Sequence, residues 1–306
     1  MSRLTRKKLL AAAINTGAYG VDAIAAGTAL YMRTKGLTIT PIEGEDLDRE
    51  LDTPDLGNSK RLLVGNRVKV TASVEWTAAG IAANKPAYDP VLVAGGWNAT
   101  ASAGGAIYSK ITDNSEKDVT FYVYKDGALH KITGARATTS FKAEVNQIPT
   151  IETEITGLYG GIVSSAMPSS PDFSGFQEPL KVGSTYTTFK IGNTEYKMLS
   201  LEMSDNVAVS YDENTKEERV YITDFTPEGK VVIEAPSLGE LDPFTQALNH
   251  TDLAITLTHG TTAGKILELK LPKIQLKRPA YDSKDGRDTY SLEFWVIGSD
   301  YTMATK

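Results

Sequence analysis

The chain has 306 residues, 41% hydrophobic and 23% charged, which is enough for two domains of ordinary size and normal for soluble globular protein. Its net charge of −6 argues against a surface built to grip nucleic-acid phosphates. It has no cysteine, which excludes disulfides, thiolate nucleophiles and cysteine-based zinc sites and suits a reducing cytosol, or a particle assembled there.

In chain order, Arg3, Arg6, Lys7 and Lys8 precede the apolar run Leu9–Ile14. That run is too short for a signal peptide or a membrane span, so residues 1–36 are expected to be a short basic helix and a Gly/Ala-rich arm, broken at Gly17, Gly20 and Gly27. Residues 37–42 alternate as a strand does, and Pro41 marks an edge or a strand end. Residues 43–55 carry seven acids and one base and read as a solvated loop. Residues 67–76 form the clearest strand, with Val68, Val70, Ala72, Val74 and Trp76 on one face and charged or hydroxyl residues on the other. Asp89 is expected to cap a short helix from outside, with Pro90 as its first residue and Gly95-Gly96 as its stop. Residues 97–117 read as an inserted polar loop. Strands at 119–126 and 128–134 flank a turn at Asp126-Gly127, where both residues tolerate positive φ. Another alternating strand covers 151–156.

Residues 157–188 are rich in Gly, Ser and Pro and are the best linker candidate, part of it expected to pack. Beyond it, a hairpin at Gly192-Asn193 leads to strands at 196–203, 207–211, 219–224 and 230–235. A second Asp-Pro, Asp242-Pro243, opens another short helix 153 positions after the first. Strands at 253–258, 265–271, 273–279 and 288–297 follow, with a turn at Asp285-Gly286. The order and type of elements in the two halves match, so the chain is read as one β-unit present twice. The segment PTIETEITGLYG corresponds to DTYSLEFWVIGS.

No catalytic pattern accompanies the repeat. The three histidines, His130, His250 and His259, lack zinc spacing, and His130 and His259 read as surface or pairing positions. There is no phosphate-binding glycine loop between strand and helix and no nucleophile elbow. Glu152 and Glu154 share a strand face without an acid or base partner, so they read as a wet face. The acid run lacks the form of a calcium loop. Tyr122, Tyr124 and Tyr159 are not interleaved with bases, so no single-strand stacking platform is expected. No cofactor and no metal are expected, and no enzyme activity.

Residues 15–76 run as an arm, a strand ending in Thr40-Pro41, an acidic stretch, a Gly-Asn turn and a long alternating strand. Residues 124–161 (YKDGALHKITGARATTSFKAEVNQIPTIETEITGLYGG) hold a Lys-Asp-Gly hairpin, a Thr-Gly-Ala return and a closing Gly-Leu-Tyr. Both stretches resemble the major tail tube proteins of long-tailed, non-contractile bacteriophages, and the second half is similar in arrangement. The resemblance implies a mainly β fold of two tandem tail-tube-type β-sandwich or barrel domains, each with one short flanking α-helix. The expected division is an arm at 1–36, a first domain at 37–160, a linker at 161–190 and a second domain at 191–306.

The resemblance also implies a structural virion protein. Its copies would form rings, stacked into a hollow tube that carries DNA into the host. Doubling of the unit makes three chains per pseudo-sixfold ring the expectation. Implied partners are other copies of the chain, a tape measure protein, tail terminator and distal tail proteins, and DNA in transient, non-specific passage, with no insertion of this chain into a membrane. The implied location is the virion tail, assembled in the bacterial cytoplasm. DNA must slide without sticking, so a lumen with little net positive charge is favoured. Candidate lumen positions are Arg67, Lys69, Glu75, Lys142, Glu144, Glu152 and Glu154. A tube from a tail-like injection or secretion machine would share the fold. A two-domain β-sandwich binding module would be expected to expose aromatic residues on a loop-rich face, and none stands out.

Overall fold

The computed structural model describes residues 4–26, 29–52, 54 and 57–306; Arg3, Gly27 and Asp55 lie outside the described residues. The chain is mainly β, with three short helices among these residues. Its first half runs β1 (Lys8–Ile14), α1 (Ala23–Ala26), β2 (Leu30–Met32), β3 (Thr34–Leu47), β4 (Leu62–Glu75), α2 (Asp89–Ala94), β5 (Trp97–Ser102), β6 (Gly105–Lys110), β7 (Val119–Lys125), β8 (Ala128–Glu144) and β9 (Thr150–Ser164). The second half runs β10 (Thr187–Ile191), β11 (Thr194–Glu195), β12 (Met198–Ser204), β13 (Val207–Glu213), β14 (Glu218–Phe225), β15 (Glu228–Glu234), α3 (Pro243–Leu248), β16 (Asp252–His259), β17 (Leu267–Leu276), β18 (Ala280–Lys284), β19 (Arg287–Val296) and β20 (Thr302–Thr305).

Five local expectations are corrected. Residues 43–47 of the acidic stretch continue β3 and pair with β4 instead of forming a loop. The run Leu9–Ile14 is a strand, not a helix. It pairs with β2 on one edge and β7 on the other, and Leu9–Ala13 are buried. A short apolar run carries no period that separates helix from strand, and here tertiary pairing decides. Asp89 is the first helical residue and does not cap from outside. Tyr88 holds the N-cap position, while the Asp89 carboxylate accepts from the Tyr108 hydroxyl at 2.8 Å. Asp242 does cap its helix, accepting from the Thr245 N–H. The inserted loop at 97–117 contains the β5–β6 hairpin, and β6 then pairs with β20 near the other end of the chain. Finally, 265–279 does not break into two strands at Pro272. β17 runs through it, because Pro272 falls in a bulge opposite Ala254, where no ladder donor is needed.

The expected hairpin turn at Asp126-Gly127 is present, with both residues at positive φ. The loop 165–186 is anchored by buried Phe176 and Val182, and the Val182 N–H donates to the Gln147 carbonyl at 2.9 Å. His130 and His259 hold strand-pairing positions, as one of the two expectations had it, and both are buried rather than on the surface. His259 shares a hydrogen bond with the Thr187 hydroxyl (2.9 Å) and contacts the Leu180 carbonyl (3.2 Å).

The repeat is visible in the strand pairing. In the first half β3 pairs β4, β4 pairs β9, β9 pairs β8, β8 pairs β7, and β7 pairs β1. In the second half β12 pairs β15, β15 pairs β19, β19 pairs β17 and β18, β17 pairs β16, and β16 pairs β10. β8 corresponds to β17 and β18 taken together. It carries a bulge between Thr133 and Arg136, whereas the second half breaks between Leu276 and Ala280, which the ladders place further along, opposite Leu292 and Glu293. Beside the seam the registers agree. Ile151 lies between Val74 and Phe141, as Tyr290 lies between Ile233 and Tyr281. The β5–β6 hairpin is an insertion in the first copy and the β13–β14 hairpin one in the second.

The halves join through backbone pairing. β12 lies antiparallel along the C-terminal part of β8, from Ser200 opposite Glu144 to Ser204 opposite Ser140. Leu201, Met203, Phe141 and Ala143 are buried at this seam, within one hydrophobic core that draws on both halves. Each fully buried side chain of the size of Leu, Met or Phe contributes about 1.5–3 kcal/mol. The result is an eight-strand sheet in the order β3-β4-β9-β8-β12-β15-β19-β18.

Candidate functional site

One face of the eight-strand sheet is buried and the other is polar, because side chains alternate across each strand. The registers put all seven candidate lumen residues on the polar face. Arg67, Lys69 and Glu75 come from β4, Glu152 and Glu154 from β9, and Lys142 and Glu144 from β8. Glu202 of β12 continues the same face. Within it, acids alternate with bases. The Lys142 ammonium sits 2.8 Å from Glu152 and 3.1 Å from Glu202, across three strands. The Lys69 ammonium sits 3.1 Å from Glu43 and 3.8 Å from Glu154. The bond from Glu152 raises the Lys142 pKa against the opposing effect of burial, with Glu202 adding to it. Burial acts to raise Glu43, but bonds from Lys69 and Arg67 outweigh it and hold its carboxyl below the usual range.

Exposed pairs of this kind contribute about 0–1 kcal/mol each, so they do little for stability. Their effect is to occupy the lysines with carboxylates. The candidates are not equally open. The β13–β14 hairpin folds over one end of the face, where the Arg67 guanidinium lies 5.9 Å from the centre of the Tyr211 ring. Arg136, near that end, is buried and donates to the carbonyls of Lys117 and Glu116. Glu75 lies at the opposite end, opposite Thr150, and is half-buried.

Two further features of the sheet face outward. Among the described residues, β3 pairs only with β4 and β18 only with β19, so both ends of the sheet are open edges. Such edges are templates for another strand, and most proteins block them. The β3–β4 hairpin also exposes Leu47, Leu62 and Leu63 beside its acidic residues, with Leu63 61% exposed.

The N-terminal arm is bound to its own chain. Tyr19 donates its hydroxyl to the Gly134 carbonyl (2.8 Å) and accepts from the Val220 N–H (2.7 Å). Asp22 accepts from the Tyr122 hydroxyl (2.5 Å) and from Lys131 (3.2 Å).

A buried polar cluster escaped the sequence reading. Asp205, in the turn after β12, is fully buried. Its Oδ2 accepts from the Trp97 indole (2.8 Å), the Thr139 hydroxyl (2.5 Å) and the Lys110 ammonium (3.1 Å). Lys110 also donates to the Gly95 carbonyl (2.7 Å) and lies over the Trp97 ring. Burial pulls the Lys110 pKa down, and attraction to Asp205 opposes this. The cluster fastens the end of α2, the β5–β6 insertion and β8 to the second half. The Lys110 and Asp205 side chains are 1% and 0% exposed. Nothing in the sequence separates Asp205 from an ordinary turn aspartate. No group of acids and histidines among the described residues is arranged to hold a metal ion.

The family model for the phage tail tube protein matches residues 5–294. No curated protein matches this chain.

Proposed function

The chain belongs to the phage tail tube protein family, and we propose that it builds stacked rings whose channel carries DNA into the host. In this reading each ring holds three chains, each supplying two tube-type units, 37–160 and 191–306, joined through 161–190. The observation that carries it is the eight-strand sheet with two open edges, whose internal seam already joins one unit to the next by backbone pairing. A strand edge left open in each copy favours association, and a ring removes every free edge. The polar face with Arg67, Lys69, Glu75, Lys142, Glu144, Glu152 and Glu154 would line the channel. Its lysines are already satisfied by acids, so passing phosphates would gain little by binding. The tube would work in the tail of a long-tailed, non-contractile virion after assembly in the host cytoplasm. It would meet tape measure, terminator and distal tail proteins. The family is structural, and no enzymatic step is part of the reading.

Electron microscopy and native mass measurement of purified rings test it. Hollow rings of three chains are expected. Rings of six would overturn the count, and a chain that stays monomeric at high concentration would overturn the tube.

Stacking needs a second surface, and the exposed leucines on the β3–β4 hairpin are suited to it, since isolated proteins seldom expose such a group. A Leu62→Asp, Leu63→Asp chain should form single rings but no tubes in negative-stain images. Tubes of normal length would remove the hairpin from the stacking surface.

A further inference from the structure

The internal seam is a template for the contact between chains. β12 corresponds to β3, and the C-terminal part of β8 corresponds to β18. The correspondence follows from the ladders alone: Ile39 pairs Val70 as Met203 pairs Gly229, and Phe141 and Tyr281 face Ile151 and Tyr290. Both β3 and β12 also carry a bulge just before the matching stretch. Among the described residues, the strand equivalent to β8 in the second copy has no partner on its outer edge, and in the first copy the strand equivalent to β12 has none.

We propose that β3 of one chain adds to the outer edge of β18 of the next, antiparallel, in the register of β12 on β8. This rests on the tube reading and names its subunit contact. Carried over, Gly36–Thr40 run along Ala280–Lys284, with Thr38 opposite Asp282 and Ile39 opposite Tyr281. Three observations fit. All five residues of β18 are exposed in the single chain. Ile39 is half-buried on the core-facing side of its sheet, and Tyr281 there packs on Tyr290 at 5.5 Å between ring centres, so an apolar pair would meet as Met203 meets Phe141. The next opposed pair would be Pro41 and Pro279. Neither has an N–H to donate, so the ladder stops there on both strands, just as the β12–β8 ladder stops at Ser204 and Ser140. Beyond the prolines the chains continue with Glu43 and Glu45 on one side and Arg278 and Lys277 on the other, which are of opposite charge. In the single chain the Leu37 carbonyl takes a bond from the exposed Lys8 ammonium (2.8 Å).

The absence of cysteine makes the register directly measurable. Directly opposed strand residues have Cβ atoms about 4.5–5.5 Å apart and diagonal ones about 7–8 Å, so only the former suit a disulfide. In assembled, mildly oxidised Thr38→Cys, Asp282→Cys protein, the monomer band should be lost on a non-reducing gel, giving oligomers that reductant reverses. Thr38→Cys with Lys284→Cys should keep the monomer band. A mixture of the two single variants, Thr38→Cys and Asp282→Cys, should yield dimers and nothing larger. Rings that form without the Thr38–Asp282 bond would overturn this pairing and leave the tube reading standing. Wild-type protein that forms no rings would overturn the tube reading and the pairing with it.

Discussion

Replacing Asp205 by alanine should destabilise the fold by about 3–5 kcal/mol, as expected when one partner of a buried ion pair is removed. The carboxylate is the common acceptor for Lys110, Trp97 and Thr139. Without it, the Lys110 ammonium is left with the Gly95 carbonyl and the Trp97 ring face, and the indole N–H and the threonine hydroxyl lose their short bonds in a dry site. An unpaired buried polar group costs about 1–3 kcal/mol and a charged one more. Whole domains are stable by about 5–15 kcal/mol, so the loss is severe. It should appear as a lower urea midpoint, with early hydrogen exchange in β6 and in β8 around Thr139, which the cluster ties to the second half. Asp205→Asn, which keeps an acceptor and removes the charge, should cost less. Lys110→Met combined with Asp205→Asn should cost less than the sum of the two singles, because the second change removes the charge that the first leaves stranded. A loss below about 1 kcal/mol for Asp205→Ala would mean that the cluster relaxes or admits water.

Glu152→Lys, Glu154→Lys protein should fold and assemble, yet eject DNA poorly. Both side chains are about half exposed (48% and 51%), and their partners Lys142 and Lys69 keep Glu202 and Glu43. The cost to folding should therefore stay near the about 0–1 kcal/mol of each exposed pair, plus modest repulsion. In the proposed channel the change acts on every chain of every ring. It turns carboxylates that hold phosphates off into ammonium groups that bind them. Each phosphate neutralised steepens the salt dependence of binding by about 0.9 in the logarithmic slope. Ejection in vitro should therefore be slow at low salt and recover as salt rises. Normal infectivity at every ionic strength would count against this face as the channel wall.

Legibility followed the reach of each interaction. The alternation in residues 67–76 needs only neighbours along the chain, and β4 lies there with Val68, Val70, Ala72 and Val74 buried. Asp126-Gly127 likewise makes its turn by local backbone preference. The duplication was legible as an order of elements, and beside the seam the ladders match it in register. The reading failed where a distant strand decides. Leu9–Ile14 became a strand because β2 and β7 pair both its edges. The Gly- and Ala-rich insertion became a hairpin because β20 pairs with β6. The Asp89 side chain turned from its helix end to Tyr108 in the core.

The seven face residues show the same division. Their polarity and alternation belong to the sequence, because a strand half in water must show it. That they share one continuous surface with Glu202 depends on β12 pairing with β8, between residues some sixty positions apart. The Asp205 cluster lies wholly on the tertiary side, because its ligands come from strands β5, β6 and β8 and no local pattern marks them. Sequence alone supported the reading of a β-unit present twice, since alternation and turn chemistry act between neighbours. Only the tertiary structure decided how the copies join and which edges stay open, because strand pairing is a contract between distant segments that neither can signal by itself.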